Sequence, residues 1–229
     1  MDYQKNMRYF NGVDHTISTT IMSLGGVLVF AGIFVLIASI VGGIVLIVVG
    51  VLATVGGIYY RGKEEEKLVS DEQYDDSVGS MLSNIQAKAM EKLGIDEDEV
   101  KEIAPISFGG YKFQDAHKVK KGDDGLYRSN IYESVVLFFS KNEVHCYVYD
   151  FNTIYKKQTE ATSVYFYNDI VSVSTASDSV QVQNINIDYE CFKLITTGGT
   201  ALTVSLRNIN DAQRSINAMR SLIKSKKQG

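Results

Sequence analysis

Cysteine is scarce in this chain: Cys146 and Cys191 are the only two in 229 residues. They are too few for a disulfide scaffold and do not form a metal-type pair, so both read as reduced, half-buried strand residues. Catalytic signatures are missing as well. There is no GxSxG elbow, no phosphate loop ending in Gly-Lys-Ser/Thr, no HExxH, no CxxC and no dinucleotide GxGxxG. The three histidines, His15, His117 and His145, are scattered without triad partners. No enzyme is expected, and no catalytic residue, cofactor or metal ligand is assigned. A basic low-complexity arm is also lacking. With a net charge of −4 and a pI near 5.4, nucleic acid is not the expected partner.

The largest absence is of charge. Residues 16–60 hold no Asp, Glu, Lys, Arg or His. A single helix of that length would extend about 67 Å at 1.5 Å per residue, against a hydrocarbon core about 30 Å thick. Two spans, residues 20–38 and 42–60, fit instead, with the reversal at residues 39–43 where Gly42 and Gly43 permit it. The expected result is a transmembrane helical hairpin. Lys5 and Arg8 precede it, Arg61, Lys63 and Lys67 follow it, and the turn carries no charge. Both termini should therefore be cytoplasmic, in a multi-pass protein of the inner (plasma) membrane. Small residues recur every seven positions: Ser18, Gly25, Gly32 and Ser39, then Gly43, Gly50 and Gly57. Lipid gives helices no hydrophobic drive to associate, so bare faces favour close packing, either within one hairpin or between chains.

Residues 62–104 carry 13 acids against 5 bases. Val78, Met81, Leu82, Ile85, Ala89 and Leu93 recur at steps of three and four, which predicts one amphipathic helix over 75–93 closed by Gly94. Its stripe must dock on the soluble domain, on a second copy or on a membrane surface. Asp96-Glu97-Asp98-Glu99 resembles a calcium loop, but Val100 and Lys101 stand where an oxygen ligand and a glycine are needed. It reads as a short helix capped by Asp96, and Gly122-Asp123-Asp124-Gly125 as a plain turn.

From Gly109 onward the apolar period is two. Residues 134–140 and 144–150 form a hairpin, with Val144, Cys146 and Val148 alternating with His145, Tyr147 and Tyr149. Further strands are predicted at 163–167, 170–174, 180–187, 190–196 and 201–206, seven in all between Tyr132 and Leu206. Gly198-Gly199 marks the last reversal. A final helix, capped by Asn210, buries Ala212, Ile216, Met219, Leu222 and Ile223.

The stretch Tyr165-Phe166-Tyr167-Asn168-Asp169-Ile170-Val171-Ser172-Val173 resembles the aromatic-x-Asp-Ile-x-x-Val strand of bacterial pleckstrin-homology-like domains. Thr196-Thr197-Gly198-Gly199 and the C-terminal helix fall in the order that family uses. The resemblance implies a seven-stranded, helix-capped barrel that serves binding, oligomerisation or scaffolding, without catalysis. The first hairpin departs from the phosphoinositide-binding pattern, since its turn offers only Lys141 beside Glu143.

The expected architecture is thus an α+β membrane protein: an N-terminal segment (1–15), the hairpin (16–60), an acidic helical connector (61–104) and a pleckstrin-homology-like β domain with its C-terminal helix (105–229). The leading functional expectation is a non-enzymatic anchored module that presents this domain to a protein partner or to another copy of itself. The layout also resembles that of bacterial antiphage effectors, which implies a small (cyclic) nucleotide ligand on Lys118, Lys120, Lys121 and Arg128 and spans that assemble to disrupt the membrane. A third option is anionic-lipid binding by Lys224, Lys226 and Lys227, part of a basic run opposed only by Asp211.

Overall fold

The computed structural model describes residues 1–228, except for the side chain of Asp211. The chain divides into two compact units, one of Met1–Phe10 with Asp71–Gly229 and the other of Asn11–Ser70. After a short first helix, α1 (Tyr3–Asn11), come two helices long and apolar enough to cross a membrane, α2 (Thr16–Val35) and α3 (Ile40–Glu65). They pack antiparallel along the small-residue faces. Ser18, Gly25, Gly32, Gly43, Gly50 and Gly57 are all buried, while Leu24, Val27, Phe30, Val41 and Leu52 point outward and are exposed. The approach is close enough to need glycine: a Cβ on Gly50 would lie 2.6 Å from the Gly25 carbonyl oxygen, and one on Gly32 would lie 2.9 Å from that of Gly43. Within the chain, the bare faces are used against each other.

The reversal differs from the sequence expectation. Gly42 and Gly43 lie inside α3, and the turn falls at residues 36–39, where the Ser39 side chain accepts a hydrogen bond from the Gly42 N–H at 3.3 Å. A serine cap, which satisfies an otherwise orphaned helix N–H, starts the second helix; Gly43 serves packing against Leu36 instead.

The acidic connector is two helices, α4 (Asp71–Leu82) and α5 (Ile85–Leu93), broken at Ser83-Asn84, and not one continuous helix over 75–93. Gly94 closes α5 in the left-handed conformation (φ +65°), as its position predicts. The apolar stripe survives the break, with Val78, Ile85 and Ala89 all buried.

Nine strands follow: β1 (Ile106–Tyr111), β2 (Val119–Lys121), β3 (Tyr127–Ser129), β4 (Ile131–Phe139), β5 (Glu143–Asn152), β6 (Gln158–Phe166), β7 (Ile170–Val182), β8 (Ile185–Thr196) and β9 (Gly199–Ser205). They form a four-stranded antiparallel sheet in the order β1-β4-β5-β6, a three-stranded sheet β7-β8-β9, and a small β2-β3 hairpin inserted after β1. The chain ends in α6 (Ile209–Gln228). Val135, Leu137 and Phe139 of β4, Val144 and Cys146 of β5, Phe192 and Leu194 of β8, and Ile216 and Met219 of α6 meet in one core. The two sheets come together where β1 meets the end of β9: Arg207 N–H donates to the Gly109 carbonyl at 3.1 Å, and a Cβ on Gly110 would sit 2.5 Å from the Ser205 carbonyl oxygen. On the outer face of β4 and β5, the Tyr147 and Tyr149 side of the predicted alternation is covered by α5. Lys88 stacks on the Tyr149 ring at 3.8 Å and pairs with Glu160 of β6 at 2.6 Å.

The strand count between Tyr132 and Leu206 is six, not seven. The predicted strand at 180–187 is interrupted by a two-residue turn at Gln183 and Asn184, both with positive φ, so its halves finish β7 and begin β8. This turn has the backbone of a glycine-type hairpin reversal built from residues that do not announce it. Strands β1, β2 and β3 lie before the predicted set. At the last helix, the Asn208 side chain accepts from the Asn210 N–H at 3.0 Å, so Asn208 and not Asn210 is the cap.

Candidate functional site

The densest polar chemistry lies where α1, α4 and the β sheets meet. On α4, Asp71, Tyr74, Asp75 and Val78 fall at helical spacing and share one face, and three of them, Tyr74, Asp75 and Val78, are buried. Asp75 is the hub. Its carboxylate accepts from Arg128 Nε at 3.0 Å and Arg128 Nη2 at 2.8 Å, from the Tyr111 hydroxyl at 2.5 Å and from Arg207 Nη2 at 2.5 Å. Arg128 comes from β3, Tyr111 from the end of β1 and Arg207 from the residues after β9, so one carboxylate ties the connector to three parts of the β unit.

Arg128 also holds Asp124 through two bonds of 2.9 and 2.7 Å and reaches the Leu126 carbonyl at 3.4 Å. Its five N–H donors therefore meet five acceptors. The Asp124 hydrogen bond and then that of Asp75 hold the guanidinium charged, its pKa raised further, while Arg128 draws the Asp124 carboxyl down to about 2.

Tyr9 and Asp71 sit beside this network. The Tyr9 ring stacks on Tyr74 at 4.3 Å, nearly parallel, and its hydroxyl donates to Asp71 at 2.7 Å. Burial, together with that bond, pushes the Tyr9 hydroxyl pKa well up. Burial pushes the Asp71 carboxyl up less than the Tyr9 hydroxyl, the Asp123 N–H and the Arg128 charge together hold it down. Asn6, also on α1, is fully buried and donates to the Thr153 carbonyl at 2.9 Å and to Ser77 at 3.0 Å. From sequence, residues 1–15 are expected to form a separate flank and residues 61–104 a connector. Here Met1–Phe10 and the chain from Asp71 onward share one folded unit, because buried Tyr9, Asn6 and Tyr74 supply contacts that a solvated flank would lack.

The four residues expected to hold a nucleotide are not gathered for that task. Arg128 is 3% exposed and saturated by carboxylates. Lys120 lies over the Tyr9 ring at 4.2 Å and Lys121 over the Tyr127 ring at 5.5 Å, and the Lys118 backbone N–H donates to Asn130. The terminal lysines have local roles too. Lys226 pairs with Glu102 at 2.9 Å, Lys227 donates to the Ile170 carbonyl, and Lys224 lines a shallow groove with Arg220 and Val171. Gly25, Gly32, Gly43, Gly50 and Gly57 are the residues of the helix seam.

Among the described residues, no group of three or more His, Cys, Asp or Glu is placed to hold a metal ion. His15 Nδ1 lies 3.6 Å from Glu64 and His145 Nε2 lies 3.4 Å from Glu143. Both cysteines are buried and free, and burial pushes the Cys146 thiol up to about 12, far from a reactive thiolate.

Next to the Asp75 network opens a cleft of about 680 Å³, lined by Tyr111, Phe113, Tyr127 and Tyr189 with Asp188, Glu190 and Arg207. Its walls come from separate stretches of chain, at residues 111–113, 125–128, 177–190 and 205–209, which no local spacing groups together. A scan against protein-family models returns no match, and no curated protein sequence matches the chain.

Proposed function

We propose that the protein is a membrane-anchored, non-enzymatic binding module. In this reading α2 and α3 cross the inner membrane as a hairpin, both termini lie in the cytoplasm, and a pleckstrin-homology-like β unit is presented there to a protein partner or to another copy. The observation that carries the reading is that the chain leaves the β unit after Phe10 and rejoins it at Asp71. A long apolar pair inserted into the sequence of one folded body, with Tyr9 hydrogen-bonded to Asp71 inside that body, suits an anchor. Lys5, Arg8, Arg61 and Lys63 flank the apolar helices, which supports placing both ends on the cytoplasmic side. The four-stranded and three-stranded antiparallel sheets with a C-terminal helix support the pleckstrin-homology-like assignment. A nucleotide-triggered effector has less support, because Arg128 has no donor left for a phosphate.

The test is fractionation with alkaline carbonate, combined with labelling of a C-terminal tag in intact and opened cells. Retention in the membrane pellet and labelling only after opening are expected. Release into the supernatant, or labelling of intact cells, would refute the anchor. Cross-linking in nanodiscs then reads out binding: recovery solely as an uncross-linked monomer refutes self-association.

A further inference from the structure

We infer that the cleft beneath the β7–β8 ribbon is a binding site for a small organic cation. The inference stands on the β unit alone and does not depend on the membrane reading. The cleft exists because β9 pairs only with Cys191–Thr196 of β8, which leaves the far half of β7 and β8 as a two-stranded ribbon. Its turn reaches back to the loop after β1, where the Gln183 side chain donates to the His117 carbonyl at 2.6 Å, and Tyr189 lies 5.7 Å from Phe113 ring to ring. The space beneath is about 680 Å³, within the usual range for a small-molecule pocket of about 300–1,000 Å³.

The walls decide the class of ligand. Tyr127, Tyr189, Tyr111 and Phe113 bring aromatic surface, and Leu126 stands 54% exposed at the rim. The two arginines of the wall are already neutralised, Arg128 between Asp75 and Asp124 and Arg207 on Asp75. The two acids are not. Glu190 accepts a hydroxyl from Ser177 at 2.6 Å and Asp188 only a long amide contact of 3.5 Å, and neither pairs with a Lys or Arg among the described residues. A cleft with aromatic faces and two unbalanced carboxylates attracts an ammonium that carries an apolar body, through both charge and cation–π contact. An anionic nucleotide would meet the opposite balance.

The probes are phenethylammonium and its near-isosteric anion phenylacetate, titrated by calorimetry and ligand-observed NMR into the full chain in a neutral detergent. Phenethylammonium should bind at least about tenfold more tightly than phenylacetate, and the Asp188→Asn, Glu190→Gln double variant should lose about tenfold. N-acetyl-lysine amide, which mimics a partner's side chain, should bind more weakly than the free amine. Equal binding of cation and anion, tighter binding of the anion, preference for the blocked lysine, no binding at about 10 mM, or an unaffected double variant would each overturn the inference. Circular dichroism checks that the variant is folded; if it is not, Tyr189→Leu takes its place and must weaken the cation by a similar factor.

Discussion

Replacing Glu133 by Gln should stabilise the protein at pH 8 and leave it unchanged near pH 4.5. Glu133 lies on β4 directly opposite Asp150 of β5, two carboxylates facing each other across one ladder. Lys112 answers both, 2.8 Å from Asp150 but 3.6 Å from Glu133. Glu133 is only 8% exposed. Burial first, then the Asp150 charge, push its carboxyl from 4.5 up to about 7, against the pull of Lys112. The folded chain therefore holds a proton that the unfolded chain has released between those two values. Stability from this group is complete below about pH 4.5 and is lost as the pH rises through about 7. The difference between 4.5 and about 7, at about 1.4 kcal/mol for each tenfold change in proton affinity, corresponds to about 3.5 kcal/mol. Gln keeps the shape without the charge, so the variant should escape that loss. The assay is urea unfolding of the detergent-solubilised chain, followed by tyrosine near-ultraviolet dichroism, for both proteins at both pH values. Their difference cancels the titrating groups that do not interact with Glu133, leaving Glu133 with its neighbours Asp150 and Lys112. A variant less stable than the parent at pH 8 would show that the Lys112 pair outweighs desolvation and would refute the reasoning.

Three further outcomes are expected. Arg128→Met alone should cost about 3–5 kcal/mol, since it takes one of two cations from buried Asp75 and leaves Asp124 without its partner, and adding Asp124→Asn should recover part of that loss; urea midpoints of the single and double variants measure the coupling. Gly50→Ala should widen the α2–α3 seam, because its Cβ would meet the Gly25 carbonyl, while Gly56→Ala, with nothing within 4 Å, should be silent; a spin-label distance across the seam separates the two. Lys88→Ala should loosen α5 by removing the Glu160 pair and the Tyr149 contact together, with faster amide exchange confined to residues 85–93 and little change in α6.

Periodicity carried the parts of this fold whose causes are local. The uncharged block announced α2 and α3, and the seven-residue glycine spacing announced which faces meet, because close backbone approach requires glycine wherever it occurs. The alternation of Val144, Cys146 and Val148 with Tyr147 and Tyr149 separated the core face of β5 from the face that α5 covers. Boundaries were missed where a residue's usual grammar was absent. Gln183-Asn184 makes a positive-φ reversal without glycine, and Ser83-Asn84 breaks a helix whose apolar stripe continues across the gap.

The polar network was illegible for a different reason. Tyr9, Asp71, Asp75, Tyr111 and Arg207 carry no signal in their own segments, Arg128 stands out only as one of a basic group, and nothing in local spacing says that residues 75 and 207 share a carboxylate contact. Only the closure of β1 against β9, which requires the bare backbone of Gly110, brings Tyr111 and Arg207 to the same point. Asp75 then serves as a counter-charge shared by two guanidiniums, the almost fully buried Arg128, which also pairs with Asp124, and Arg207. The cost of removing any one member is set by the charges left behind. The apolar helices thereby leave and rejoin a body in which Tyr9 and Asp71, near the two junctions, are linked by a side-chain hydrogen bond of 2.7 Å.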